Sequence, residues 1–167
     1  MVLVLALAAI AAAQPPVEQP LPIGAKLTLV RSLDALPYFN PALAIKGTLE
    51  PSPGNRLVIV EFTIGANGVE AGLASFVLTT SADASHTPIA AGGGSNLTFP
   101  VARIPVGQEM GQILPTDAIV AVKRLSATSA AIEAGPIATI ALVYDVPKDA
   151  APRTLKLPDG SVLGLER

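Results

Sequence analysis

His86 is the one histidine in a chain of 167 residues that has no cysteine. Its imidazole is the side chain best suited to general acid–base work near neutral pH, so a search for catalysis starts there. Its neighbours Thr87 and Pro88 read as one arm of a hairpin, where a lone histidine is ordinarily structural. The serine at Ser95 sits in "GGGSNL", which lacks the closing glycine of a nucleophile elbow, and no Ser-x-x-Lys occurs. A carboxylate pair such as Glu61 with Glu70 is the other arrangement a hydrolase could use, and it ranks last. No residue is assigned a catalytic role.

Metal and cofactor chemistry finds equally few groups. One histidine and no cysteine nearly exclude a zinc site, which needs several ligands at the right spacing. Asp145, Asp149 and Asp159 could converge with loop carbonyls on calcium, but no Asp-x-Asp-x-Asp-Gly loop is present, and aspartates favour turns for their own backbone hydrogen bonds. The glycines of "GGGSNL" lack the Gly-Lys-Ser/Thr that completes a phosphate cradle. No metal or cofactor is therefore expected. With no tryptophan, the chain offers a poor sugar-stacking platform, and Tyr38-Phe39 in "LPYFNP" is expected to pack over an end of the fold. Asn96-Leu97-Thr98 matches a glycosylation acceptor and is discounted as a chance triplet. A formal net charge of −2 supplies no basic field, which argues against nucleic acid.

The elements that would carry these residues are short. Sixteen prolines and fourteen glycines leave little room for long helices and favour strands between turns. "AKLTLVRSL" (25–33) and "ALAIKGTLE" (42–50) are candidate strands, separated at Pro37 and Pro41. The clearest is "NRLVIVEFTIG", Asn55 to Gly65, which puts Val58, Val60, Phe62 and Ile64 on one face and Leu57, Ile59, Glu61 and Thr63 on the other. The first face is assigned to the core and the second, which carries Glu61, to partial contact with water. "GANG" supplies a hairpin signal at Asn67-Gly68.

A second hairpin follows, with Ala74, Phe76, Leu78 and Thr80 on one side and "HTPIA" returning. "TDAIVAVKRL" suits either a short helix capped by Thr116 or a strand, and a helical turn is the expectation. Between Ile137 and Val146, Ile140, Leu142 and Tyr144 share one face, and the smaller Thr139, Ala141 and Val143 share the other. Pro147 ends that strand, and Leu155 and Leu157 enter a last hairpin through Asp159-Gly160. Seven or eight such strands predict an all-β, immunoglobulin-like antiparallel β-sandwich, with at most one short helix.

Residues 1–13, "MVLVLALAAIAAA", are too short and apolar for anything but a signal-peptide core or a buried segment, and the small residues Ala11 and Ala13 favour the former, with cleavage after Ala13. No Lys or Arg precedes this run. Residues 14–24 read as a proline-rich linker and 25–167 as one domain. A secreted or periplasmic protein with no membrane span in the mature chain is expected.

The blocks "GNRLVIVEFTIGANG", "FVLTTSADASHTPIA" and "ALVYDVPKDAAPRTLKL" resemble, in that order, a bacterial family of secreted and lipoprotein-borne immunoglobulin-like domains of unknown function, to which a secreted mycobacterial immunoprotective antigen is related. The resemblance runs from about Gly54 to Leu157. The chain departs from it between Gly92 and Ala131, in having Tyr144 where the family's corner carries phenylalanine, and in lacking a lipid-bearing cysteine. It implies a sandwich outside the cytoplasm and brings no catalytic residues with it. The expected function is a non-enzymatic module that binds a protein or cell-envelope component through loops or an open sheet edge. The alternative is a carrier of a small apolar ligand between the sheets, beside Thr139, Ala141 and Val143.

Overall fold

The computed structural model describes residues 22–40, 45–93, 99–100, 109–113, 119–124 and 130–166. In chain order they form β1 (Lys26–Leu33), β2 (Leu36–Asn40), β3 (Ile45–Leu49), β4 (Asn55–Thr63), β5 (Val69–Gly72), β6 (Val77–Thr80), β7 (Ser85–His86), β8 (Ala90–Gly93), β9 (Phe99–Pro100), β10 (Glu109–Ile113), β11 (Ile119–Arg124), β12 (Ala130–Ala134), β13 (Thr139–Pro147), β14 (Pro152–Lys156) and β15 (Val162–Gly164). A 3-10 turn at Leu73–Ser75 interrupts them. The fold is all-β, and every strand pairing among the described residues is antiparallel.

The central layer is a sheet in the order β1-β4-β13-β8-β9. One of its faces carries Val58, Val60, Phe62, Ile140, Leu142, Tyr144 and Val146, which form the main core. Against them pack residues of two further four-stranded sheets, β10-β11-β12-β5 and β15-β14-β6-β7, among them Leu78, Ile132 and Leu155, together with Phe76 just before β6. The rings of Phe62 and Phe76 stand 6.2 Å apart across this interface. Tyr144 is fully buried, and its hydroxyl donates to the Phe76 carbonyl at 3.3 Å. Burial pushes the Tyr144 phenol well above its ordinary value, because the phenolate would lose its hydration there.

The opposite face departs from expectation. Leu57, Ile59, Ala141 and Val143 are buried against Leu36, Leu33, Leu49 and Ile89, so the region of the β2–β3 hairpin covers what is expected from sequence to be a partly wet face. A sheet covered on both sides needs no polar alternation, which explains the unbroken run from Leu57 to Phe62. Glu61 shares this burial: its side chain is 4% exposed, with the Arg31 guanidinium on β1 at 3.8 Å from Oε1.

Three further readings are corrected. The segment from Ile119 to Arg124 is strand β11, paired with β10 and β12, and not a helical turn. Its Ile and Val content fits the pleated surface once two neighbours supply the ladder. The Asn67-Gly68 turn does not fold β5 back on β4, for β5 crosses to pair with β12 in another sheet. Ala74, expected beside Phe76, is exposed in the 3-10 turn, where Leu73 is the buried residue. The expected hairpins at β6–β7 and β14–β15 are present. The proposed signal segment, residues 14–21 of the linker, the Thr116 cap and the expected packing of Tyr38-Phe39 lie outside what the structure describes.

Candidate functional site

Strand β13 runs from Thr139 to Pro147, and its two ends differ in chemistry. At the far end, Asp145 Oδ2 accepts the Ser52 amide at 3.0 Å and the Ser52 hydroxyl at 2.5 Å. Oδ1 has no partner in hydrogen-bond geometry, while Asn55 and the His86 imidazole act on the carboxylate from further away. Partial burial pushes the Asp145 carboxyl up, but the Ser52 hydrogen bonds, with the more distant Asn55 side chain and the His86 charge, outweigh it, and the carboxyl lies below its ordinary value.

Serine, aspartate and histidine thus gather here, an assembly that sequence spacing did not reveal. Their order is wrong for nucleophilic catalysis. A serine nucleophile needs the imidazole beside its hydroxyl and the carboxylate behind the imidazole, whereas here the carboxylate takes the serine proton donor itself. His86 Nε2 is buried and has no hydrogen-bond partner. The group acts as a latch that ties the turn before β4 to the end of β13.

The near end is a cleft of about 380 Å³ lined by Ile23, the 67–70 segment, Glu133 to Pro136, and Pro158-Asp159. Close backbone approach builds it. The Gly65 amide donates to the Ile23 carbonyl at 2.8 Å, and a Cβ on Gly65 would stand only 2.8 Å from that oxygen. Gly68 has φ +68°, and a Cβ there would meet the Ala134 carbonyl at 2.8 Å, so glycine is required for β5 to leave the turn beside β12.

Asp159 closes the cleft from the last hairpin. Its Oδ2 accepts the Ile23 amide at 2.7 Å, and its Oδ1 accepts the Ser161 amide and hydroxyl. Burial again pushes this carboxyl up, and the Ser161 and Ile23 hydrogen bonds more than offset it, leaving the group below its ordinary value. Its lone pairs are committed to holding the chain entry.

Two other groups in this region have no such compensation. Glu70 on β5 and Glu133 on β12 are directly opposite each other in the register, both exposed, and no ion pair reaches either among the described residues. Like charges in that position repel. Ile137, in the turn after Pro136, is 68% exposed and has φ +54°. A β-branched residue in the left-handed region is strained, and glycine or asparagine is the usual occupant.

The residues singled out from sequence are thereby placed. Glu61 and Glu70 occupy different sheets, and Glu61 faces Arg31. Asp145 and Asp159 serve opposite ends, and no group of three or more candidate metal ligands occurs among the described residues. Ala141 and Val143 are packed against Leu57, Ile59 and Ala90, so their small size is taken up by contact, and the Thr139 hydroxyl lies 3.3 Å from that of Thr63. Sequence places Ile137 only at the start of a strand, and nothing in it singles out Glu133, since φ and cross-strand register are not written in local composition.

These features define an all-β protein of packed antiparallel sheets with an acidic, apolar-rimmed cleft at one end. No helix among the described residues is long and apolar enough to cross a membrane. No protein-family model, curated protein or solved structure matches the chain.

Proposed function

We propose that the chain is an immunoglobulin-like, extracytoplasmic binding module without catalytic activity, which engages a protein of the cell envelope through the cleft end of the sandwich. The observation that carries this reading is Ile137. Backbone strain of this kind costs on the order of 1–3 kcal/mol and persists where the surrounding structure holds it in place, commonly at ligand clamps. Here it holds a large apolar side chain out in water, one residue beyond Pro136 of the cleft lining, which is the character of an interface anchor. The reversed order of Ser52, Asp145 and His86 supports the non-enzymatic part, and the apolar run at residues 1–13 supports the compartment.

The test is retention of proteins from a solubilised envelope fraction on the immobilised chain and on its Ile137→Gly variant. Wild type should retain a specific partner that the variant loses while still melting cooperatively. Equal retention by both, or none by either, would overturn the reading.

A further inference from the structure

The cleft lies at one margin of the β10-β11-β12-β5 sheet, where β5 is the terminal strand. Among the described residues strand β5 pairs with β12 alone, through Val69–Gly72 opposite Ala131–Ala134. Its second edge therefore presents main-chain donors and acceptors with no strand partner among the described residues, the template for an added strand. The two faces of this margin differ. Val69 and Ala71 pack against the core, whereas Glu70 and Glu133 project to the other side.

We infer that the partner adds an extended segment to the free edge of β5, carrying lysine or arginine on the outward face and small apolar residues on the inward one. This rests on the binding reading above and deepens it. Strand spacing fixes the electrostatics: a basic residue in the added strand would stand about 4.8 Å from Glu70 and two strand spacings from Glu133, within reach of a long cationic stem. Its charge would relieve the repulsion between two carboxylates held directly opposite each other. The apolar residues on either side of it would turn inward beside Val69 and Ala71 and extend the core by one strand. A polyanion or an anionic lipid surface would add to the repulsion instead. The chemistry thus specifies a polypeptide of alternating basic and apolar character, and it uses the margin on which Pro136 lines the cleft.

The probe is an octapeptide alternating lysine with valine and threonine, with its glutamate counterpart as control. Titration by fluorescence anisotropy is combined with hydrogen exchange at the amides of β5. The lysine peptide should bind, weaken as salt is raised, and slow exchange at residues 69–72, while the glutamate peptide should not bind. Glu70→Gln with Glu133→Gln should lower the affinity about tenfold and leave the melting temperature unchanged or higher.

Equal binding of the two peptides, or binding with no protection of β5, would overturn the inference. Self-association of the peptide-free chain through β5, seen by sedimentation, would overturn it in favour of a second copy. If envelope capture still depends on Ile137 while the lysine peptide fails to bind, the binding module stands and the added basic strand falls. Loss of both would remove the whole reading.

Discussion

The two ends of β13 handle polar and apolar groups in opposite ways. At the Asp145 end, a carboxylate is answered by an amide, a hydroxyl and a nearby imidazole, and the turn before β4 is fastened by it. At the Ile137 end, only Asp159 is answered in that way, while two glutamates face each other and an isoleucine stands in water on a left-handed backbone. The ends are about 26 Å apart, eight residue steps at roughly 3.3 Å each. An end whose groups satisfy one another contributes to folding. An end that leaves them unsatisfied gives up stability for a surface that can be completed from outside.

That contrast can be broken or sharpened by substitution. The scale is set between the ends, where Arg31→Met would leave the buried Glu61 carboxylate without its cation and should cost about 3 kcal/mol in urea unfolding. At the latch, Asp145→Ala should lower stability by about 1–2 kcal/mol, since it removes two hydrogen bonds to a charged but partly solvated group.

The same carboxyl supplies a pH signature. Asp145 and Asp159 both titrate lower in the folded chain than the ordinary value of about 3.9, so each stabilises fully above that value. The contribution is lost as pH falls through the lower, folded value. Thermal melts between pH 5 and pH 2 should show this loss in wild type and a smaller one in Asp145→Ala.

The cleft end should respond with the opposite sign. Ile137→Gly is expected to raise stability by about 1 kcal/mol, because relief of left-handed strain exceeds the entropy that glycine adds to the unfolded chain. A loss of stability comparable to that of Asp145→Ala would make this turn structural and erase the difference between the ends. The smallest effect is expected for Glu133→Gln, a gain of a few tenths of a kcal/mol that shrinks as salt screens Glu70 from Glu133.

Much of the fold was legible because period-two patterning acts locally. Val58, Val60, Phe62 and Ile64 were placed inward from the pattern alone, and all are buried. The Asp159-Gly160 turn was readable for a similar reason, since its chemistry is contained in a few adjacent residues, and glycine there adopts φ +84°. The second face of β4 was misread because Glu61 suggests water only if nothing covers it, and the cover comes from Leu36 and Leu49, residues that pattern alone cannot bring above the sheet. The strand at Ile119–Arg124 was lost to a helical expectation because a six-residue apolar run has no period of its own.

What the sequence determined by itself is the class of structure: proline and glycine at short intervals prevent long helices, and alternating apolar residues between them make strands with a side to bury. Which strands became neighbours was decided only by tertiary structure, because pairing is a long-range choice in which β5 can leave its turn for β4 or for β12. That choice set Glu70 opposite Glu133, turned Ile137 outward and left one edge of β5 without a strand partner among the described residues. The chemistry of the cleft therefore resides in register and backbone angle, quantities that exist only once the sheets have packed.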